Sequence, residues 1–306
     1  TSNPWQVRRD GDFLYGRGVE DNQQAIVSML LLAEEVLLHN ITPELSLGLV
    51  FMADEETGSI FGLEHLLNTA PHFFSPDDLY IVPDAGSTKG DVIEIAEKSQ
   101  LWLKVQTTGI QCHASTPQKG RNAFLAAADM ALSCHNALRA AFGDANPLFD
   151  PPHSTFVPGK HEANVPNINT VPGNDVFYVD CRLLPHVEMD NVLAKMREVA
   201  AEVAARHFVQ ITVSVVQRQE ATAIPQTGTV VTALKAAIAR IYGMEAQAVG
   251  IGGATVAAFL RQKGLPAAVW ACLENTCHQP DERSSITATI KDAQVFAHIL
   301  MNTSHV

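Results

Sequence analysis

The sequence contains few basic residues and no basic cluster. Its 306 residues include 21 Lys and Arg against 33 Asp and Glu, which gives a net charge of −12. No basic run is longer than the pair Arg8-Arg9. Because nucleic-acid binding needs a clustered basic surface, this composition excludes nucleic acid as a main partner.

Long apolar stretches are also lacking. A membrane-spanning helix needs about 18 or more consecutive apolar residues. The longest candidate, residues 26–33, is broken by Ser28 and followed by two glutamates. No charged segment followed by an apolar one opens the chain, as a secretory signal would. We therefore expect no membrane association. The sequence also does not begin with Met, and we expect a further segment of the natural protein to precede Thr1.

Cysteine is sparse and widely spaced. There are five cysteines and no C-x-x-C motif, which excludes a disulfide framework and predicts a reducing, cytoplasmic location. Cys112 and Cys277 each precede a histidine. Since neighbours on an extended segment point to opposite sides, we predict that both thiols are buried packing groups rather than nucleophiles or metal ligands.

Apolar residues make up 46% of the chain, enough for a sizeable core, and its length favours two domains. The first segment alternates helix and strand patterns, as in an α/β domain. Apolar spacing predicts a helix over residues 24–38, with Asp21 or Asn22 as its cap. Almost continuous apolarity predicts a strand over residues 45–53 that is buried on both faces. A short helix over 60–67 and a strand over 79–82, ended by Pro83, follow.

The middle segment has a different pattern. The predicted order is strand, helix, strand, strand, helix, strand, which is the ferredoxin-like order. Its elements fall at residues 101–108, 122–138, 154–157, 175–184, 189–207 and 209–216.

After Pro225 the first pattern returns. We predict helices over 229–242, 254–263 and 290–301 and a buried strand over 267–273. The sequence thus predicts an α/β domain of residues 1–99 and 217–306, interrupted by an inserted α+β domain of residues 100–216.

Acidic residues and a histidine follow the predicted strands of the α/β domain. Residues 54–56 (Asp-Glu-Glu) follow one strand, Asp84 another and His278 a third, while Asp21 precedes the first helix. In open α/β sheets ligands bind outside the carboxyl ends of the strands. Carboxylates and a histidine in one crevice are suitable ligands for zinc, and they would repel one another without a cation.

Each of these residues has a simpler explanation when it is taken alone. Asp21 is explained as a helix cap, Asp84 as a turn residue and His278 as a loop histidine. Residues 54–56 are explained as acidic groups that complement the dipole of the next helix. The simple explanations would all have to hold together, with four coincidences at strand ends. This requirement favours a metal site.

Five motifs carry a family resemblance. They are Tyr-Gly-Arg-Gly-Val-Glu-Asp (15–21), Asp-Glu-Glu-Thr-Gly-Ser (54–59), Pro-Asp-Ala (83–85), His-Ala-Ser-Thr-Pro-Gln-Lys-Gly-Arg-Asn-Ala (113–123) and Cys-His-Gln-Pro-Asp-Glu (277–282). In this order they resemble the di-zinc aminoacylase/carboxypeptidase metallopeptidases. That family includes acetylornithine deacetylase, succinyl-diaminopimelate desuccinylase, carboxypeptidase G-type enzymes and several dipeptidases. The resemblance spans nearly the whole chain. It implies a zinc-exopeptidase-like catalytic domain, with helices on both faces of a mostly parallel sheet, and an inserted lid that forms a homodimer.

The resemblance also implies a metal site. Asp21 would bridge two zinc ions, Glu56 and His278 would complete one site, and Asp84 would bind the other zinc. Glu55 would be the general base that activates water. Two Zn²⁺ per subunit are expected in the full-length protein, with Co²⁺ or Mn²⁺ as candidate substitutes.

Substrate-binding roles are implied for the inserted domain and for a glycine loop. His113 would polarise the scissile carbonyl in the partner subunit's site, and Asn164 would lie near the oxyanion. Arg182 would bind a substrate carboxylate. The loop containing Gly252, Gly253 and Thr255 would lie beside the substrate. The local alternatives are a packed or capping His113, a turn at Asn164, a cross-strand ion pair for Arg182 and an ordinary helix start at the glycine loop.

Three features depart from the family pattern. The His-x-Asp motif expected upstream of Trp5 is absent, and we interpret this as a truncated front segment rather than a lost metal site. Asn22-Gln23-Gln24 replaces the usual Lys-Gly after the bridging aspartate. Val256 follows Thr255 where the family often has an acidic or hydroxyl residue.

The leading hypothesis is therefore a zinc-dependent hydrolase that cleaves an amide bond in a small N-acyl-amino acid or a short peptide. An alternative is a catalytically silent member that binds amino acids or peptides, which retention of Glu55 argues against. A third is a Mg²⁺-dependent phosphohydrolase, which would use oxygen ligands only, whereas His278 favours zinc.

Overall fold

The computed structural model describes residues 3–302 and divides the chain into two compact units. The first unit comprises Thr1–Ala96, Ala223–Gly250 and Ala254–Val306, and the second comprises Glu97–Thr222 and Ile251–Gly253. The helices are α1 (Gln23–Leu38), α2 (Leu63–Thr69), α3 (Ala123–Ala141), α4 (Met189–His207), α5 (Thr229–Tyr242), α6 (Ala257–Gln262) and α7 (Ile286–Leu300). The strands are β1 (Arg8–Asp10), β2 (Phe13–Tyr15), β3 (Tyr80–Ser87), β4 (Val92–Glu97), β5 (Ser99–Thr108), β6 (Cys112–His113), β7 (Thr155–His161), β8 (Thr170–Val171), β9 (Asn174–Leu183), β10 (Gln210–Gln219), β11 (Gln247–Ile251), β12 (Ala267–Cys272) and β13 (Arg283–Ser285).

The first unit is an α/β fold built on a mixed sheet. The strand order is β11-β4-β12-β3, and β12 runs parallel to β3 and antiparallel to β4. Every residue of β12 is buried. Val269 packs in the cluster that includes Leu63 of α2 and Leu260 of α6. The next residue, Trp270, contacts Tyr242 of α5 and Phe296 of α7 through ring edges. Because successive strand residues point to opposite faces, helices lie on both faces of the sheet.

The predicted strand over residues 45–53 is wrong. This segment forms no strand, and Leu47, Val50 and Phe51 are at least 38% exposed. A strand needs a neighbour for its backbone N–H and C=O groups, and no described strand pairs with this segment. An apolar composition does not show that a neighbouring strand is present to pair with the segment.

The helix predicted over residues 24–38 is confirmed as α1. Its buried side, however, comprises Gln24, Ala25, Ser28 and Leu32, while the apolar Leu30 and Leu37 are exposed. The buried stripe therefore does not follow the most apolar residues of the helix.

The strand predicted over residues 79–82 is confirmed but does not end at Pro83. β3 continues to Ser87, and its pairing with β12 skips from Val82 to Gly86. Residues 83–85 therefore face a single residue of β12 and form a bulge. Because bulges redirect side chains, Asp84 is aimed by an irregularity inside the strand rather than by a loop after it.

The second unit has the predicted strand and helix order. Its sheet is antiparallel with the order β10-β5-β9-β7, and α3 and α4 pack together over a core that contains Leu103, Met130, Phe156 and Met196. Asn122 caps α3 by accepting hydrogen bonds from two amides of its first turn. β6 and β8 form a separate two-stranded ribbon. This order and pairing give the ferredoxin-like fold.

The chain leaves and re-enters the first unit at neighbouring positions. Ala96, the penultimate residue of β4, forms an antiparallel bridge with Ala223, and the Ile224 amide donates to the Ile95 carbonyl at 3.0 Å. Among the described residues, no helix is long and apolar enough to cross a membrane.

Candidate active site

Three of the predicted metal ligands converge in the first unit. Asp21 lies between β2 and α1, Glu56 in the 3₁₀ turn Glu55–Thr57, and His278 between β12 and β13. His278 Nε2 lies 2.7 Å from Glu56 Oε1 and 3.1 Å from Asp21 Oδ2. One ligand atom from each residue lies within 4.8 Å of the other two. Three segments far apart in sequence therefore deliver two carboxylates and one imidazole to a single point.

The acidic turn is held by Asp54, the residue that precedes it. The Asp54 carbonyl accepts hydrogen bonds from the amides of Thr57 and Ser59, and its Oδ2 accepts one from the Phe61 amide at 2.7 Å. Gly58 ends the turn with a φ of +102°, a backbone conformation that residues with a Cβ rarely adopt. These contacts fix the backbone from which Glu55 and Glu56 project.

Asp84 lies apart from the three converging ligand atoms. It does not belong to that cluster within residues 3–302, and its Oδ1 accepts a hydrogen bond from Asn22 Nδ2 at 2.9 Å. Burial and the charge of Asp21 raise the pKa of Asp84 to about 6, although the hydrogen bond from Asn22 lowers it. A role for Asp84 at a second metal ion stays a prediction.

The carboxylates of the site repel one another. Burial, with the charges of Asp84, Glu56 and Asp21, raises the pKa of Glu55 to about 7. Burial and the charge of Glu56 raise the pKa of Asp21. The hydrogen bond to Glu56 raises the pKa of His278. Burial is thus the largest cause for the two carboxyl groups, and their negative neighbours add to it, whereas the pKa of His278 is raised by its carboxylate partners against the effect of burial.

These residues fit a bound divalent cation. A cation among the carboxylates would relieve the repulsion that raises their pKa values. The donor set of two carboxylate oxygens and one imidazole nitrogen suits zinc and similar transition metals better than magnesium, which prefers oxygen ligands.

The predicted residues of the second unit have local partners. His113 lies in β6, and its Nδ1 is 2.7 Å from Ser115 Oγ. Asn164 donates to the buried Asp175 at 2.7 Å. Arg182 binds Asp180 in a bidentate manner at 2.8 and 3.1 Å. Asp180 lies two residues before Arg182 on β9, so the pair is within one strand and not across strands as the alternative had it. The substrate roles of all three residues stay predictions.

The glycine loop contacts one residue of β9 and one residue close in sequence. Arg182 donates to the Gly252 carbonyl at 3.2 Å, and Thr255 Oγ1 accepts a hydrogen bond from the Ala257 amide at 3.2 Å. A Cβ at Gly252 would meet nothing within 4 Å, and one at Gly253 would meet only Ile251 at 3.9 Å. Space at this loop therefore does not require glycine, and its substrate role stays a prediction.

Sequence reasoning did not single out two glutamates that lie beside the site. Glu20 and Glu282 are 2% and 3% exposed and lie on the loops that carry Asp21 and His278. Their place within two recognised motifs was the only sequence signal for them. The predicted burial of Cys277 is wrong, since this residue is exposed, and Cys112 is half-buried.

Comparisons with known proteins connect this site to a family. The profile described as peptidase family M20/M25/M40 matches residues 1–302. An uncharacterized metallohydrolase of Methanocaldococcus jannaschii is 39% identical over 310 residues, covering 98% of this chain and 75% of that protein. A succinyl-diaminopimelate desuccinylase of Stenotrophomonas maltophilia is 27% identical over 285 residues, covering 92% of this chain and 73% of that protein.

A solved structure shares the fold. A tripeptidase from Staphylococcus aureus is similar with a TM-score of 0.79 at 18% identity, covering 96% of this chain and 76% of that one. The metallopeptidase fold predicted from the five motifs is thereby confirmed.

Proposed function

Because the chain belongs to peptidase family M20/M25/M40 and is a hydrolase of peptide or amide bonds, we propose that it is a zinc-dependent enzyme acting on a small N-acyl-amino acid or short peptide. The observation that carries this proposal is the arrangement of the acidic turn. Glu56 joins the converging ligand atoms, whereas the adjacent Glu55 is, among the described residues, outside that cluster. The site therefore has a carboxylate available for proton transfer beside those that hold the metal.

Bound zinc would supply Lewis acidity toward the scissile carbonyl and would lower the pKa of water at the site. Asp21, Glu56 and His278 would hold the ion, and Asp84 a second one. Glu55 takes one proton from the attacking water and delivers it to the leaving nitrogen. The C–N bond breaks, and the products are a carboxylate and a free amine.

The second unit would supply contacts to the substrate. We assign polarisation of the carbonyl to His113 from the partner subunit and contact with the oxyanion to Asn164. Arg182 would bind a substrate carboxylate and must then exchange its present bidentate partner, Asp180. The loop that contains Gly252, Gly253 and Thr255 would lie beside the substrate.

The experiment compares wild type with Glu55→Gln in the full-length polypeptide. Metal content is measured together with turnover on a panel of N-acyl-amino acids and dipeptides. We expect bound zinc in both proteins and a turnover about 10²–10⁴-fold lower in the variant, the usual contribution of a general base. Glu64→Gln changes an exposed glutamate of the neighbouring α2 and serves as the matched control. Zinc without turnover on any substrate would favour a silent binding protein, and a wild type without metal would refute the site.

We also propose a homodimer formed through the second unit. β7 is an edge strand with an exposed Val157, and α3 exposes Leu125 and Leu132. An unpaired strand edge beside exposed leucines is suited to pairing with a second copy. Light scattering after gel filtration should give twice the chain mass for wild type and the single mass for Leu132→Glu. A monomeric wild type would refute the dimer.

We place the protein in the cytoplasm because all five cysteines are free thiols. Cell fractionation tests this location, and recovery of the protein in an extracellular fraction would contradict it.

A further inference from the structure

Glu282 accepts hydrogen bonds from almost the whole loop that ends in Asp21. Its Oε2 accepts from Arg17 Nη1 at 2.8 Å and from the Gly18 amide at 3.1 Å. Its Oε1 accepts from the amides of Glu20 and Asp21 at 3.1 and 3.2 Å. One buried side chain thus fixes the backbone from which the metal ligand Asp21 projects.

Glu20 does the same for the loop that carries His278. Its Oε1 accepts from the Asn275 amide at 2.6 Å, and its Oε2 accepts from the Thr276 amide at 2.9 Å and from the Thr276 hydroxyl. These bonds anchor the loop two residues before His278. Each loop therefore contributes the carboxylate that holds the other.

The loop that carries His278 needs such an anchor. Asn275, His278 and Asp281 all have positive φ values, between 57° and 59°. Left-handed backbone is uncommon for residues other than glycine and persists where the surroundings enforce it. The two loops also adjoin neighbouring strands. The first follows β2 and the second leads into β13, β2 pairs with β13, and the Gly16 amide donates to the Glu282 carbonyl at 3.1 Å.

We propose that Glu20 and Glu282 form a reciprocal clamp that positions Asp21 and His278 for metal binding. The proposal rests on the metal site of the proposed function. Both glutamates are positioning residues, because they hold the ligands' backbone and belong to no cluster of converging ligand atoms in the described part of the chain. Burying two carboxylates costs free energy unless each is fully hydrogen-bonded. Here each carboxylate accepts at least three hydrogen bonds.

The first test is metal affinity in the full-length polypeptide. Glu→Gln keeps the shape of the side chain but replaces one accepting oxygen with an NH2 group. In Glu282→Gln and in Glu20→Gln, a donor of the side chain then faces a donor of the loop. We expect each variant to bind Zn²⁺ about 10–100-fold more weakly in competition with a chelator, the usual effect of losing a group that orients a ligand. The visible absorption of bound Co²⁺ should change as well, because the coordination geometry is loosened.

The matched control is Glu274→Gln. Glu274 lies on the same loop as His278, and among the described residues its hydrogen bonds and ion pairs join it to Arg283, at 2.9 and 3.0 Å, rather than to the Asp21 loop. It should keep the wild-type zinc affinity. The double variant Glu20→Gln/Glu282→Gln should lose less affinity than the product of the single losses, because both glutamates hold one arrangement. Wild-type affinity and an unchanged Co²⁺ spectrum in both single variants would overturn the clamp.

A second measurement does not depend on metal. In metal-free protein, Glu20→Gln leaves Glu282 and its contacts chemically intact. If the clamp is reciprocal, amide hydrogen exchange at Gly18 and Asp21 should still accelerate about tenfold, since that loop then opens more easily. Unchanged exchange there would refute reciprocity. A wild type that binds no metal would refute the proposed function, while the exchange data would still decide the clamp.

Discussion

Asp292 offers a sharp test of the electrostatics of the first unit. This aspartate of α7 is 2% exposed and accepts three hydrogen bonds. Its Oδ1 accepts from Tyr242 Oη at 2.8 Å, and its Oδ2 accepts from the Cys272 amide at 3.2 Å and from Gln24 Nε2 at 3.3 Å. Burial outweighs these bonds and raises the pKa of Asp292 from 3.8 to about 7. We therefore consider the substitution Asp292→Asn.

The sign of the effect follows from the two pKa values. In the unfolded chain Asp292 ionises near 3.8, and in the folded protein it ionises near 7. Its neutral form therefore supports the fold fully below about pH 3.8, and this support is lost as the pH rises to about 7. The full difference corresponds to about 4 kcal/mol, of which about 3 kcal/mol falls between pH 5 and pH 8.

The assay is urea unfolding at pH 5, 6, 7 and 8, followed by tryptophan fluorescence, to which Trp270, fully buried beside this network, contributes. Subtracting the wild-type free energy of unfolding from that of Asp292→Asn removes the other titrating groups. This difference should move in favour of the variant by about 3 kcal/mol from pH 5 to pH 8. Asp77→Asn makes the same chemical change on the surface and serves as the control. A difference that stays constant with pH would refute the reasoning, because the hydrogen bonds would then outweigh burial.

Three further substitutions test other features of the fold. Glu94→Ala should lower the free energy of unfolding by about 3–5 kcal/mol, because it removes the carboxylate that pairs with the Arg261 guanidinium, and both side chains are 1% exposed. Chemical denaturation measures this loss, and a value below about 1 kcal/mol would contradict the prediction. Asn122→Ala should cost about 1 kcal/mol through the lost cap of α3, and a thermal melt that matches wild type would refute that role. Gly86→Ala should lower soluble expression and melting temperature, because its Cβ would collide with the Ala271 carbonyl across the β3–β12 pair; an unchanged melting temperature would show that the strands can separate.

The sequence predicted the second unit well because its signals are local. Alternating apolar residues of β5 and the helical spacing of α4 depend on neighbours within a few positions. The α4 range, Met189–His207, and the antiparallel pairing of β5 with β9 follow this pattern. Where residue spacing alone determines an element, the sequence suffices.

Features that depend on distant partners were missed. Residues 45–53 have the composition of a buried strand but have no described neighbour to pair with. Asp84 is aimed by a bulge that arises only where β3 meets β12. The hydrogen bonds of Glu282 reach a loop more than 260 positions away, and no local pattern indicates them. The convergence of Asp21, Glu56 and His278 was predicted from strand ends that share one edge, but this reason does not hold for Glu56, because the strand expected before it does not form.

The Ala96–Ala223 bridge has a consequence for the engineering of this chain. Two positions that pair across an antiparallel bridge can be joined by a tight turn of a few residues. The polypeptide between them can therefore be exchanged, shortened or excised without moving the ends that β4 and α5 require. A short turn at this point would make residues 3–96 and 223–250 of the first unit one continuous polypeptide.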